Sequence, residues 1–204
     1  MSGRGTLDAL LERHGTTYAA EAGIRLRDTP QPLYQLLVLS HLLSARIRAG
    51  IAVTAARALF AHRLSTPRRM ADAAWQERVD ALGEGGYRRY DERTATQLGD
   101  GALLLLDVYG GDLRRLRREA GGDPGLLEAA LRRFPGIGPA GADIFLREVQ
   151  TVWPGTTPYL GAKALSGARR LGLPTGSAEL ARLVKDRDPA VVGAALVREA
   201  LDKG

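Results

Sequence analysis

One stretch, running from Asp123 to Phe145, constrains this chain more than any other. Asp123 followed by Pro124 reads as a helix start: the carboxylate caps free amides, and the proline ring presets φ at the first helical position. Leu127, Ala130, Leu131 and Phe134 then recur at helical spacing as an apolar stripe. Pro135-Gly136-Ile137-Gly138 leaves room only for a tight turn. Pro139 opens a second helix whose Ala142, Phe145, Leu146 and Val149 form a matching stripe. The expectation is a helical hairpin with Ile137 plugged into the core. Its two glycines allow conformations closed to other residues and let the main chain approach a ligand with no Cβ in the way. Free N–H groups at such a turn, together with the positive end of the second helix, suit an anion.

The rest of the chain also reads as helix. Leu36, Leu37, Ser40, Leu43 and Ser44 share a face, and Ile47 and Ile51 extend the stripe at spacings of three and four. Val53, Ala56, Arg57 and Phe60 suggest a helix ending near His62. Thr66-Pro67 starts another, Trp75 to Leu82 a short one broken by Gly83-Glu84-Gly85-Gly86. Asp91 to Tyr109 is the longest, with Thr94, Leu98, Leu105 and Val108 near one stripe and Gly110-Gly111 ending it. Three more helices are expected after Pro154. No segment alternates as a strand would, so the fold class is all-α.

Composition narrows the chemistry. With no cysteine among 204 residues, a disulfide, a thiolate zinc site and a cysteine-held iron–sulfur cluster are excluded. His14, His41 and His62 are too scattered for a metal site, so no metal or cofactor is expected. The apolar run Leu33 to Ala45 is too short and too polar to span a bilayer, and a soluble cytoplasmic protein is the expectation. The net charge of +6 suits a polyanionic partner. That signal is blunted by the source of the charge: Lys163, Lys185 and Lys203 are the only lysines among 29 basic residues, leaving 29 − 3 = 26 arginines, a bias that GC-rich coding also produces. The densest basic run, Arg114, Arg115, Arg117 and Arg118, reads first as a solvated helix face.

Phe134-Pro135-Gly136-Ile137-Gly138, followed by Gly141-Ala142-Asp143-Ile144, resembles the Leu-Pro-Gly-Val-Gly hairpin of the helix-hairpin-helix, endonuclease III-type DNA glycosylase superfamily. Two further stretches fall in that superfamily's order. Leu42-Leu43-Ser44-Ala45-Arg46 resembles its Leu-Leu-Ser-Ala-Gln helix end, whose Gln reaches into DNA. Gly86-Tyr87-Arg88-Arg89-Tyr90 resembles its glycine–aromatic loop. The likeness spans about residues 30–175. It implies two helical lobes: a six-helix lobe over 30–153 ending in the hairpin, and a second lobe from 1–29 with 154–204. Double-stranded DNA would lie across the cleft between them with a damaged base turned out. The residues assigned to DNA contact are Gly136, Ile137, Gly138, Ala140, Gly141, Arg46, Arg48, Tyr87, Arg88 and Arg89. Arg46 and Arg48 read equally as a base-gap filler or a solvated helix end, and Tyr87 to Tyr90 as a stacking surface or simple packing.

The chain departs from the superfamily at its chemistry. The lysine that forms a Schiff base in bifunctional members falls here on Ala140, and a methyl group cannot attack C1′, which excludes a lyase step through that residue. The aspartate expected about eighteen residues later falls on Pro158, or on Tyr159 when Trp153-Pro154 is aligned with the superfamily's similar pair. Asp143, Tyr159 and Lys163 are the substitutes available. The resemblance therefore implies a base-excision repair hydrolase: a monofunctional DNA glycosylase without lyase activity. Alkylated bases are its favoured substrates, because they depart with little help from a carboxylate. The alternatives are a catalytically inactive module that holds DNA or a lesion, and a helical adaptor that uses the hairpin only for structure. The expected state is a monomer, associated with the nucleoid in a bacterium.

Overall fold

The computed structural model describes residues 3–156 and 158–202. Thirteen α-helices and no strand occur among them. The helices are α1 Gly3–His14, α2 Tyr18–Glu21, α3 Pro30–Ser44, α4 Ala49–Ala61, α5 Pro67–Asp72, α6 Trp75–Glu84 and α7 Asp91–Tyr109. They continue as α8 Leu113–Glu119, α9 Pro124–Leu131, α10 Pro139–Val149, α11 Ala162–Arg170, α12 Ser177–Val184 and α13 Pro189–Leu201. No helix among the described residues is long and apolar enough to cross a membrane.

Local chemistry sets most of the helix starts. Thr17, Thr66, Asp112, Asp123 and Asp188 each accept a hydrogen bond from a first-turn amide, and proline occupies the first turn of α3, α5, α9, α10 and α13. Gly110 ends α7 in the left-handed conformation. Helix α3 is apolar nearly all round, with Leu33, Leu36, Leu37, Val38, Leu39 and Leu42 buried, as fits a helix enclosed by neighbours. It packs against α4, α8 and α10, while α5 and α6 pack on α7. Helix α10 is the joint of the molecule, resting on α3 on one side and on α13 on the other. Helix α13 in turn holds α1 and α11.

Four local expectations are corrected. The stripe through Ile47 and Ile51 does not belong to one helix: α3 stops at Ser44, Ala45 is extended at φ −71° and ψ 158°, and α4 begins at Ala49. Val108 is 45% exposed, and Tyr109 takes the buried position at that end of α7. Helix α6 runs through Gly83 to Glu84, one turn's hydrogen bonds outweighing a single glycine. The span 30–153 holds eight helices, α3 to α10, in place of six. Within the lobe expected from 1–29 and 154–204, Met1, Ser2, Thr157, Lys203 and Gly204 lie outside the described residues.

Candidate functional site

The hairpin joins α9 to α10. Phe134 and Ile137 are buried, at 2% and 5% exposure, and the Ile137 amide donates to the Phe134 carbonyl at 3.0 Å. Its two glycines are in different situations. Gly136 has φ +81°, and a Cβ there would overlap the His41 ring and lie 2.6 Å from Gln97 Oε1, so no other residue fits. Gly138 is extended at φ −90° and ψ −169°, with no protein atom within 4 Å of where a Cβ would be. The expectation that both glycines are needed by the turn is therefore wrong for Gly138. Among the described residues, the fold leaves that position open.

Among the described residues, the amides of Gly136, Gly138 and Ala140 have no backbone acceptor. Gly136 and Ala140 are exposed and Gly138 half-buried. Gly141 is buried, and a Cβ there would sit 3.4 Å from the Ile137 side chain and 3.6 Å from Ser44 Cβ, so it serves the packing of α10 on α3. No acidic residue stands in the first turn of α10 to cancel the positive end of its dipole.

Arg46 and Arg48 are exposed in the α3–α4 loop. A recess of about 310 Å³ separates Arg46 from Tyr90, Arg93 and Gln97, and Gly136 forms part of its wall. His41 lies beneath it with Nε2 3.2 Å from Gln97 Oε1, and burial pulls the imidazole down to about 4, so the ring is neutral. Tyr87 is only 2% exposed, with its hydroxyl 3.3 Å from Thr94 Oγ1. A ring held there has no face free for a base, and the stacking expected of it is not available in this arrangement. Arg88 and Arg89 are exposed, the Arg89 guanidinium lying 5.2 Å from the Tyr90 ring centroid. In the basic run of α8, Arg114 pairs with Asp112 at 2.8 Å and Arg117 with Asp28 at 3.6 Å.

On the other side of the hairpin, between α10, the end of α3 and the α11–α13 layer, lies a cavity of about 320 Å³. Its wall contains Ala140, Asp143, Ile144, Lys163 and Tyr18. Residues 140, 143 and 147 are three and four apart on α10, which puts Ala140, Asp143 and Arg147 on one helix face. The Asp143 carboxylate accepts from the Tyr159 hydroxyl at 3.0 Å and lies 3.6 Å from Arg147 Nη1. Tyr159 is itself held by Gln150, which donates to its carbonyl at 2.9 Å and accepts from its amide at 2.8 Å. Burial and the neighbouring Asp143 charge push the Tyr159 phenol well above its ordinary value, leaving it a neutral donor. Gly161, which caps α11, lies so close that any side chain there would overlap the Asp143 carboxylate.

Behind this face Arg147 and Glu148 are nearly sealed, with side chains 3% and 0% exposed. Glu148 Oε2 accepts from the Ala19 amide at 2.9 Å, tying the N-terminal segment to α10. Burial raises the Glu148 carboxyl, and Arg147 opposes that rise. Among the described residues, Arg147 Nε and Glu148 Oε1 have no hydrogen-bond partner and face each other as an ion pair at 4.0 Å. The guanidinium groups of Arg198 and Arg147 lie 4.2 Å and 6.0 Å from the centroid of the Tyr18 ring.

Three residues singled out from sequence thus come together: Tyr159 touches Asp143, and Lys163 shares its cavity. Sequence reasoning missed Tyr18 and Arg147. The spacing of Ala140, Asp143 and Arg147 could have exposed the second, whereas nothing local links Tyr18 to residues some 120 positions away. No group of His, Asp or Glu suited to a metal ion occurs among the described residues.

No family model and no curated sequence matches the chain. Solved structures do. A trapped endonuclease III–DNA covalent intermediate, in its estranged-adenine complex, and a non-covalent endonuclease III–DNA complex each align at a TM-score of 0.53 with 19% identity. Each alignment covers 95% of this chain and 82% of the other. The fold is endonuclease III-like.

Proposed function

We propose that this chain is a DNA-binding base-excision repair protein, a monofunctional DNA glycosylase that hydrolyses the N-glycosidic bond of a damaged base without a lyase step. The observation that carries the reading is Asp143. A carboxylate on α10 faces the cavity beside the hairpin, one turn from Ala140, with its oxygens addressed by Tyr159 at 3.0 Å and Arg147 at 3.6 Å. Duplex DNA would be held through phosphates on the free amides of Gly136, Gly138 and Ala140, a contact that reads backbone and not sequence. Arg46, Arg48, Arg88 and Arg89 would flank it. The damaged nucleotide would turn out of the stack into the cavity. There the Asp143 carboxylate would stabilise the positive charge that develops on the sugar as the base departs, and orient the water that attacks C1′. Tyr159 is a positioning residue, fixing the rotamer of Asp143. The same reading makes the protein a monomer acting in the cytoplasm, on the nucleoid of a bacterium.

The sequence favours alkylated bases because they leave with little help from a carboxylate, and the usual aspartate slot holds none. Asp143 supplies one, so that ground for the preference falls. A second reading, a lesion-binding module without chemistry, is favoured by the same contacts seen differently: Tyr159 and Arg147 already occupy Asp143, as in a purely structural brace.

Two measurements on the wild-type chain decide. Single-turnover incubation with duplexes carrying single damaged bases should release free base and leave an intact abasic strand. Release of no base, with tight duplex binding, selects the binding module. Duplex affinity should fall with salt at a log–log slope of roughly −2 to −4, as for two to four phosphate contacts. No binding at low salt ends both readings and leaves the adaptor.

A further inference from the structure

The basic run of α8 takes no part in the proposed function, and it is more than a solvated helix face. Arg114, Arg117, Arg118 and Asp28 line a recess of about 560 Å³. Gly121, Gly122 and Gly155 complete its wall with main chain, and a Cβ on any of them would meet no described atom within 4 Å. The recess lies at the end of the molecule away from the hairpin. Helix α10 starts at the hairpin, α9 ends there, and the last turn of α3 brings His41 and Ser44 beside Gly136 and Gly141. Asp28 precedes α3, Gly122 precedes α9 and Gly155 follows α10. At about 1.5 Å per residue, α3, α9 and α10 put about 22, 12 and 16 Å between their two ends.

The guanidinium groups of this recess are held in place yet keep donors to spare. Arg114 is tied to Asp112 through Nε at 3.0 Å and Nη2 at 2.8 Å, and its Nη1 has no partner among the described residues. The Arg117 guanidinium lies 5.2 Å from the Trp153 ring centroid and 3.6 Å from Asp28, whose carboxylate accepts from Trp153 Nε1 at 2.9 Å. At 3.6 Å it is attracted to Asp28 without a hydrogen bond, so its N–H groups stay available. Arg118 is exposed and makes no ion pair among the described residues. Three guanidinium groups thus stand against two carboxylates, Asp28 and Asp112, and one positive charge is left over.

We propose that this recess docks a carboxylate-rich segment of a partner protein, gripped by Arg117 and Arg118 with Arg114 at its edge, while the hairpin face is left to DNA. A guanidinium fork matches a carboxylate, as Arg114 and Asp112 already show, and groups fixed beforehand lose little rotamer freedom on binding. Carboxylate side chains enter such a recess one at a time. Nucleic acid fits it poorly. Trp153 is fully buried, so no ring is offered for a base to stack on. A duplex, whose major groove alone is about 12 Å wide, is too broad to enter and would touch only the rim.

The probe is a short labelled peptide of Asp, Glu and Gly, with a control in which Asn and Gln replace the acids. At about 0.15 M salt, where loose attraction between exposed charges is screened, the wild-type chain should bind the acidic peptide about tenfold or more tightly than the control. Replacing both arginines, Arg117→Gln with Arg118→Gln, should weaken peptide binding about tenfold, as for two ion pairs, and leave duplex affinity within about twofold. Arg118→Glu leaves Arg117 on Trp153 undisturbed and should give the same loss in a fully folded protein. Amide resonances of Gly121, Gly122 and Gly155 should shift on adding peptide, and those of Gly136, Gly138 and Ala140 should not. Saturating duplex should change peptide affinity by less than about twofold. No binding of the acidic peptide, its displacement by duplex, or shifts centred on the hairpin overturns the proposal. An equal loss of duplex affinity in the arginine variants assigns the recess to nucleic acid and overturns it too. None of these measurements depends on base release, so the glycosylase reading stands or falls separately.

Discussion

The hairpin and the cavity next to it differ in what they are made of. The hairpin offers main-chain amides, set out by two prolines, a left-handed Gly136 and the start of α10. The cavity offers side chains, drawn from the N-terminal segment, the end of α3, α10, α11 and α13. The first is written in consecutive residues, and its chemistry is indifferent to which side chains surround it. The second exists only because α10 is packed between α3 and α13. Under the proposed reading, the grip on a polyanion and the reactive groups are separable: the carboxylate stands on α10, and Tyr159, which with Pro158 is one of the two positions where the resemblance would place an aspartate, is hydrogen-bonded to it.

The sharpest way to break that contrast is Asp143→Asn. If the cavity does chemistry and the hairpin does binding, single-turnover excision should fall by about 10²-fold or more while duplex affinity changes by less than about threefold. An equal loss in both would tie Asp143 to the hairpin's architecture instead. The next test stays within the hairpin. Gly136→Ala should destabilise the fold by about 2–3 kcal/mol, since a Cβ meets His41 and Gln97 and φ is +81°. Gly138→Val should cost less than about 1 kcal/mol, the size of a changed helix cap, yet weaken duplex binding about tenfold by standing where a phosphate would approach. Thermal melts and titrations on the same two variants separate the effects. Unaltered binding by a well-folded Gly138→Val would remove the phosphate role.

A smaller effect concerns His41, which supports Gly136 from below. Its imidazole is held near 4 in the folded protein against 6.5 when free, so the unfolded chain binds the extra proton between those values. Stability is therefore full above about pH 6.5 and is lost as pH falls towards 4. At pH 5 the loss is about 2 kcal/mol. Denaturant midpoints for the wild type should drop accordingly from pH 7 to pH 5, and those of His41→Gln should show a flatter profile over that range.

The hairpin, the long α7 and the starts of α5, α9 and α10 were legible because local rules decide them. A proline or a capping aspartate acts within one turn, and an apolar stripe every three to four residues announces a buried face. The break at Ala45, the exposure of Val108 and the burial of Tyr87 were not legible. Each depends on which neighbour covers a face, and periodicity gives a face without naming its cover.

What the amino-acid order determined alone is the helical class and the turn between α9 and α10; set beside the resemblance, it also showed no lysine or aspartate at the positions where that resemblance would place them. Residues close in the chain interact at fixed separations, so their pattern carries that information. Tertiary structure alone decided that Gly138 is free while Gly136 is obligatory. It also decided that Asp143 meets Tyr159 beside Lys163, and that Tyr18 arrives from the far end of the chain already engaged by two arginines. Those arrangements join groups from about 16 to more than 140 positions apart, and packing, not periodicity, sets the distances between them.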